Sequence, residues 1–214
     1  YRGWHLLDAA WNWADTISSL FQQAGLKVEI TGSCRRVMET IDTVELLVQG
    51  TEDVAGKIRR CLDSIPEMQV SREGPAIIGK HPAKPPVKVV IIPESAFIPA
   101  LFITTGSDAH VDKVRRIAAS QSIRIEMESL VKGSQFVSIG EETEIYRMLG
   151  MPYLPPEVRE GRDIETSQAM MDILPGLVTA PELLGTIHVH TTYSDGKAIL
   201  EDMVLAARER GYAW

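Results

Sequence analysis

Gly32-Ser33-Cys34-Arg35-Arg36-Val37-Met38-Glu39-Thr40-Ile41-Asp42-Thr43-Val44-Glu45-Leu46-Leu47-Val48 runs from a chain reversal into a strand. Lys27 to Thr31, just before it, reads as a short strand that Gly32-Ser33 breaks. From Thr43 to Val48 polar and apolar residues alternate. Thr43 and Glu45 therefore share one face, and Val44, Leu46 and Val48 the other. A Gly-Ser turn lets backbone N–H groups approach a phosphate chain, and a nearby arginine neutralises it. Carboxylates at i and i+2 of the following strand would chelate divalent ions. Gly32, Ser33 and Arg36 are thus candidate phosphate-binding residues. A structural salt bridge, for instance with Glu39, is the simpler role for Arg36. Asp42 and Glu45, three residues apart, point to opposite faces unless a bulge intervenes.

Upstream, Trp4, Leu7, Trp11, Ala14, Ile17 and Phe21 recur at helical spacing, and Gly25 closes that helix. The reading places the three early tryptophans in the core. Downstream, Glu52 to Ile65 reads as a helix and Ala76 to Gly79 as a strand. The proline-rich stretch from His81 to Pro86 is a turn, and Val87 to Ile92 a clear strand stopped by Pro93. A helix up to Thr104 is broken by Thr105-Gly106-Ser107, and Val111 to Ser120 is helical. Ile123 to Ile125, Leu130-Val131 and Phe136 to Ile139 suggest a meander. Glu141 to Leu149 is a helix with acid in its first turn, and Pro152 to Asp163 a connector. After Thr186 the pattern predicts a strand bearing His188 and His190, a turn, and a helix from about Ile199 to Arg210.

The 214 residues suffice for one large domain or two small ones, with an ordinary globular composition. No apolar run approaches the roughly 18 residues of a membrane span, and no signal peptide is visible; a cytoplasmic setting is expected. Cys34 and Cys61 are too few for a disulfide framework. The net charge of −7 argues against tight autonomous binding to nucleic acid, though basic clusters stand at Arg35-Arg36, Arg59-Arg60 and Lys113 to Arg116. Surface solvation is the plain reading of Arg59-Arg60.

The motifs from about residue 25 onward, taken in order, resemble bacterial family X DNA polymerases, the DNA polymerase beta relatives. Gly32 to Val48 resembles the palm, and Val87 to Pro93 its third strand. Thr105-Gly106-Ser107-Asp108-Ala109-His110 with Arg115-Arg116-Ile117-Ala118, then Glu141 to Gly150 and Pro155 to Gly161, resemble the thumb. His188-Val189-His190-Thr191-Thr192-Tyr193-Ser194-Asp195-Gly196 resembles the opening of a PHP phosphoesterase domain.

The resemblance implies an α/β fold: a nucleotidyltransferase-type palm with a mixed sheet and helices on one face over 1–100, and a small α/β thumb over 101–165. A linker over 166–185 and a truncated PHP stub over 186–214 would follow. It implies phosphate or nucleotide contacts at Gly32, Ser33, Arg36, Thr105, Gly106 and Arg115, and partial metal ligation by His188, His190 and Asp195, with zinc or manganese completed by ligands elsewhere in a longer protein. Implied partners are DNA, weakly a dNTP, and the rest of the PHP domain. The three palm carboxylates of the family are replaced by Thr43, Glu45 and Lys88, so magnesium is expected to be lost and Lys88 to pair with Glu45. Ile103-Thr104 stands for an aromatic pair and Val111 for a polar base-reader. The expected function is a degenerate DNA- or nucleotide-binding module serving the PHP phosphoesterase or 3′-5′ exonuclease chemistry of a DNA repair polymerase. An active polymerase using Asp42 and Glu45, and a purely structural domain, are the rivals.

Overall fold

The computed structural model describes residues 3–162 and 178–214. The chain divides into two compact units, Tyr1–Ser167 and Gln168–Trp214. In the first, a two-residue strand β1 (His5–Leu6) leads into helix α1 (Leu7–Gln23). Its buried stripe is Ala10, Trp13, Ala14, Ile17 and Phe21, at helical spacing. Burying a side chain the size of Ile17 or Phe21 stabilises by about 1.5–3 kcal/mol each. Gly25, at φ +75°, ends the helix in a conformation that costs glycine nothing. Trp4 and Trp11 are exposed, unlike Trp13, so two of the three expected core tryptophans are surface residues. Trp11 lies about a quarter turn from the middle of that stripe, and Trp4 precedes the helix.

Five strands form a mixed sheet in the order β2 (Lys27–Thr31), β4 (Val44–Gln49), β7 (Val87–Ile92), β6 (Ala76–Lys80), β5 (Gln69–Glu73). Only β4 and β7 are parallel. The residues between them carry a 3-10 turn, helix α3 (Ala55–Asp63) and the β5–β6 hairpin; the exposed polar strand β5 carries no apolar alternation. Two-residue strand β3 (Thr40–Ile41) pairs with β1. Val44, Leu46 and Val48 pack under α1 and α3. Leu47 points the other way, onto Phe97, Ala100 and Leu101 of helix α4 (Phe97–Thr105). Helices therefore cover both faces, not one, because β4 is apolar on both faces beyond Glu45. Gly32-Ser33 opens a short helix α2 (Gly32–Arg35).

Helix α5 (Asp108–Ser120) begins three residues before Val111, because the Ser107 hydroxyl accepts from the His110 N–H. A meander of β8 (Ile123–Glu126), β9 (Ser129–Lys132) and β10 (Gln135–Phe136) follows. Helix α6 (Glu142–Met148) starts with a capping box between Glu141 and Glu144. Then a segment with a 3-10 turn at Pro156–Val158 carries Arg159, among the largest fully buried side chains of the chain. In the second unit, helix α7 (Leu200–Glu209) is flanked by Leu184 and Thr186, which bond to the backbone of Ala213 and Trp214. The expected strand at His188 and His190 does not form: His188 has φ +58° and no strand pairs there. A strand without a neighbour has no ladder to join.

Candidate functional site

The parallel register sets Lys88 beside Glu45 on adjoining strands. Lys88 Nζ donates to Glu45 Oε1 at 3.0 Å, the contact expected from strand adjacency. Both side chains are partly exposed, 44% and 32%, so water screens the pair. The Glu45 carboxylate also leans over Gly32. A Cβ built on Gly32 would stand 2.1 Å from Glu45 Oε2, and Gly32 has φ +63°. Glycine is thus required twice here, for backbone conformation and for room. An anion already fills the space above the turn that was expected to cradle phosphate. Beside it, burial and then Glu45 push the Cys34 thiol up to about 11.

These residues open onto a cleft of about 660 Å³ between the sheet, α4 and the start of α5. Its charged walls are Arg36 and Lys88 against Glu45, Glu73 and Asp108. Both cations are engaged. Arg36 Nε donates to Glu160, Nη1 to the Thr105 carbonyl at 2.9 Å and Nη2 to Ser33 Oγ at 3.2 Å. Its carboxylate partner is therefore Glu160, 124 residues away, and not Glu39.

Arg35 reaches away from the cleft. Nη1 donates to Thr105 Oγ1 at 2.5 Å and Nη2 to Glu142 Oε2 at 2.7 Å. The other Glu142 oxygen accepts from Arg159 Nη1 at 2.5 Å, and Arg159 Nε donates to the Leu154 carbonyl at 2.8 Å. The Arg159 guanidinium lies 5.3 to 5.9 Å from the ring centres of Tyr146, Tyr153 and Phe102. Burial disfavours its charge, but Tyr146 and Glu142 outweigh that and hold its pKa above the ordinary arginine value. One carboxylate thus ties two arginines from distant parts of the chain.

The remaining candidates divide. Ser33 and Gly106 line the cleft, and Thr105 is buried behind it. Arg115 is turned to the meander, donating to the Ile125 carbonyl at 2.9 Å and pairing with Glu126 at 3.5 Å. Thr43 precedes β4, and neither it nor Asp42 is among the cleft walls. The sequence reading missed Glu73, Asp108, Glu142, Arg159 and Glu160. Asp108 was legible as the acid after a serine cap; the others carry no local signal. Among the described residues no group of three or more His, Cys, Asp or Glu could hold a metal ion. Glu45 is paired with Lys88, and Asp42 does not line the cleft.

In the second unit His190 Nδ1 contacts Asp195, and the His188 and His190 rings stack at 5.0 Å. Gly196 closes this loop against the His190 backbone, where a Cβ would stand 2.4 Å from its carbonyl carbon. The three expected donors are near one another in sequence but do not form a three-ligand cluster.

Comparison with known proteins agrees with this geometry. A model of the DNA polymerase beta thumb matches residues 100–160, the span from α4 to Glu160. DNA polymerase/3'-5' exonuclease PolX of Bacillus subtilis (strain 168) is 28% identical over 196 residues, covering 88% of this chain and 33% of that protein. The chain is thus similar to DNA polymerase beta over its thumb-like segment and to bacterial PolX over most of its length. It spans about a third of the length of that bacterial relative. The crystal structure of Leishmania infantum polymerase beta in a ternary P/T complex shares the fold, with a TM-score of 0.63. The identity there is 18%, over 74% of this chain and 77% of that one. Glu142 and Arg159 lie in the segment that matches the thumb model, and Arg35 joins them from outside it. No helix among the described residues is long and apolar enough to cross a membrane.

Proposed function

We propose that this chain is a family X palm-and-thumb module that has lost nucleotidyl transfer and is retained to bind DNA or a nucleotide for a PHP phosphoesterase. The palm would be 1–100, the thumb 101–165 and the linker 166–185, with the PHP opening at 186–214. The observation that carries this reading is the Lys88–Glu45 contact on the two strands where the family resemblance implies metal-binding carboxylates. An ammonium there repels a divalent ion and occupies the only carboxylate of the three positions. Two-metal chemistry needs carboxylates converging on the attacking and leaving oxygens. His188, His190 and Asp195 would contribute to a zinc or manganese site completed by ligands from outside these residues.

Primer extension with Mg²⁺ or Mn²⁺ tests the loss of transfer. No incorporation is expected; template-directed incorporation abolished by Glu45→Ala would sink the proposal. The structural-domain reading is favoured by a specific observation: Arg36 and Arg115 are both committed to carboxylates and carbonyls of their own chain. DNA binding measured against salt separates the two. A binding module loses affinity steeply as salt rises, whereas a structural domain shows no binding to weaken.

A further inference from the structure

On the flank of α1 away from the main core, Trp11, Asp15, Ser18 and Gln22 recur at helical spacing along one wall of a notch of about 300 Å³. The facing wall is Val28, Glu29 and Ile30 of β2. Consecutive strand residues alternate faces, so a notch touching all three runs along the strand's edge. β2 is an edge strand of the five-stranded sheet, and among the described residues no further strand pairs with it. Asp15 and Glu29 are exposed, and neither shares an ion pair among the described residues. The Arg35 stem also borders the notch, but its guanidinium is held by Glu142 and Thr105. Ser18 is only 7% exposed, and its hydroxyl lacks a hydrogen-bond partner. A buried hydroxyl without a partner is costly unless something supplies one.

We propose that this notch docks an extended basic peptide segment of a partner protein. An arginine or lysine side chain would lie against the Trp11 indole, with its charge between Asp15 and Glu29, and the Ser18 hydroxyl would accept from it. Cation–π attraction and charge-assisted hydrogen bonds act together at such a site. The free edge of β2 is why the occupant is a peptide and not a free amine: it offers backbone donors and acceptors to an extended chain. This site is independent of the cleft and of the fate of nucleotidyl transfer.

The test uses the whole chain, titrated with a capped Gly-Arg-Gly peptide and separately with agmatine, followed by amide and indole NMR shifts. Shifts at the Trp11 indole N–H and along Lys27–Thr31 are expected with the peptide. Asp15→Asn with Glu29→Gln should weaken binding by about tenfold, since both are exposed and the fold is undisturbed. Trp11→Ala should weaken it by a similar factor, and Glu128→Gln, on an exposed turn elsewhere, should leave it unchanged. No peptide shifts at millimolar concentration would overturn the proposal. So would affinity retained in the double variant, or shifts with agmatine but none with the peptide.

Discussion

Two sets of charges flank helix α2, and they are built differently. On one side Lys88 and Glu45 meet at the cleft, partly exposed, with a single hydrogen bond. On the other, Glu142 is 5% exposed and holds Arg35 and Arg159, the latter fully buried against three aromatic rings. A screened pair gains little over its solvated parts. A buried carboxylate shared by two cations is different: removing it leaves charge stranded in a low-dielectric site. The lesson is that the cleft charges are free to change, while the charges behind them tie α2 to the segment that matches the polymerase beta thumb model.

Removing the shared carboxylate should produce the largest effect. Glu142→Ala is expected to cost about 3–5 kcal/mol, read by urea unfolding, because Arg159 would be left without its carboxylate. A loss below about 1 kcal/mol would erase the distinction between the two sets.

Cys34 lies in α2 between them and feels Glu45. Its thiol is raised to about 11, so the folded chain prefers the protonated form. Stability from this source is fully present below the ordinary thiol range, falls as pH rises through it, and is gone above the folded value. The loss should be about 2–3 kcal/mol between pH 8.5 and 11. Cys34→Ala should flatten that part of the pH dependence, measured as unfolding free energy against pH. An unchanged slope would mean that the thiolate is tolerated.

Val37 follows Arg36 with φ +57° and an exposed side chain. A β-branched residue there is strained, so the turn between cleft and hub stores energy. Val37→Gly should relieve about 1–2 kcal/mol and return roughly half to the freer unfolded chain, leaving a gain near 1 kcal/mol in thermal or urea unfolding. Smallest of all, Lys88→Ala should change stability by less than about 1 kcal/mol, with the difference shrinking as salt rises. A larger, salt-insensitive loss would place this pair with the buried set.

Most elements were readable from local pattern. Alternation at Val44 to Val48 and the apolar run at Val87 to Ile92 marked the two central strands, and helical spacing marked α1. The adjacency of Glu45 and Lys88 on neighbouring strands was expected from the sequence, and the parallel register of β4 and β7 places them side by side. These signals act over a few residues, where backbone period and side-chain polarity suffice. The partners of charges do not. Arg36 takes Glu160 and Arg35 takes Glu142, across 124 and 107 residues, because the segment from α4 to Glu160 brings those carboxylates back to α2. Periodicity gave Trp11 to the core, but the packed stripe of α1 is set by which flank meets the sheet, and that left Trp11 outside. His188 and His190 had a strand's alternation without a neighbouring strand to pair with. Local pattern states what a segment is able to form; only the surrounding chain supplies the hydrogen-bond ladders, buried surfaces and opposite charges that decide whether it does.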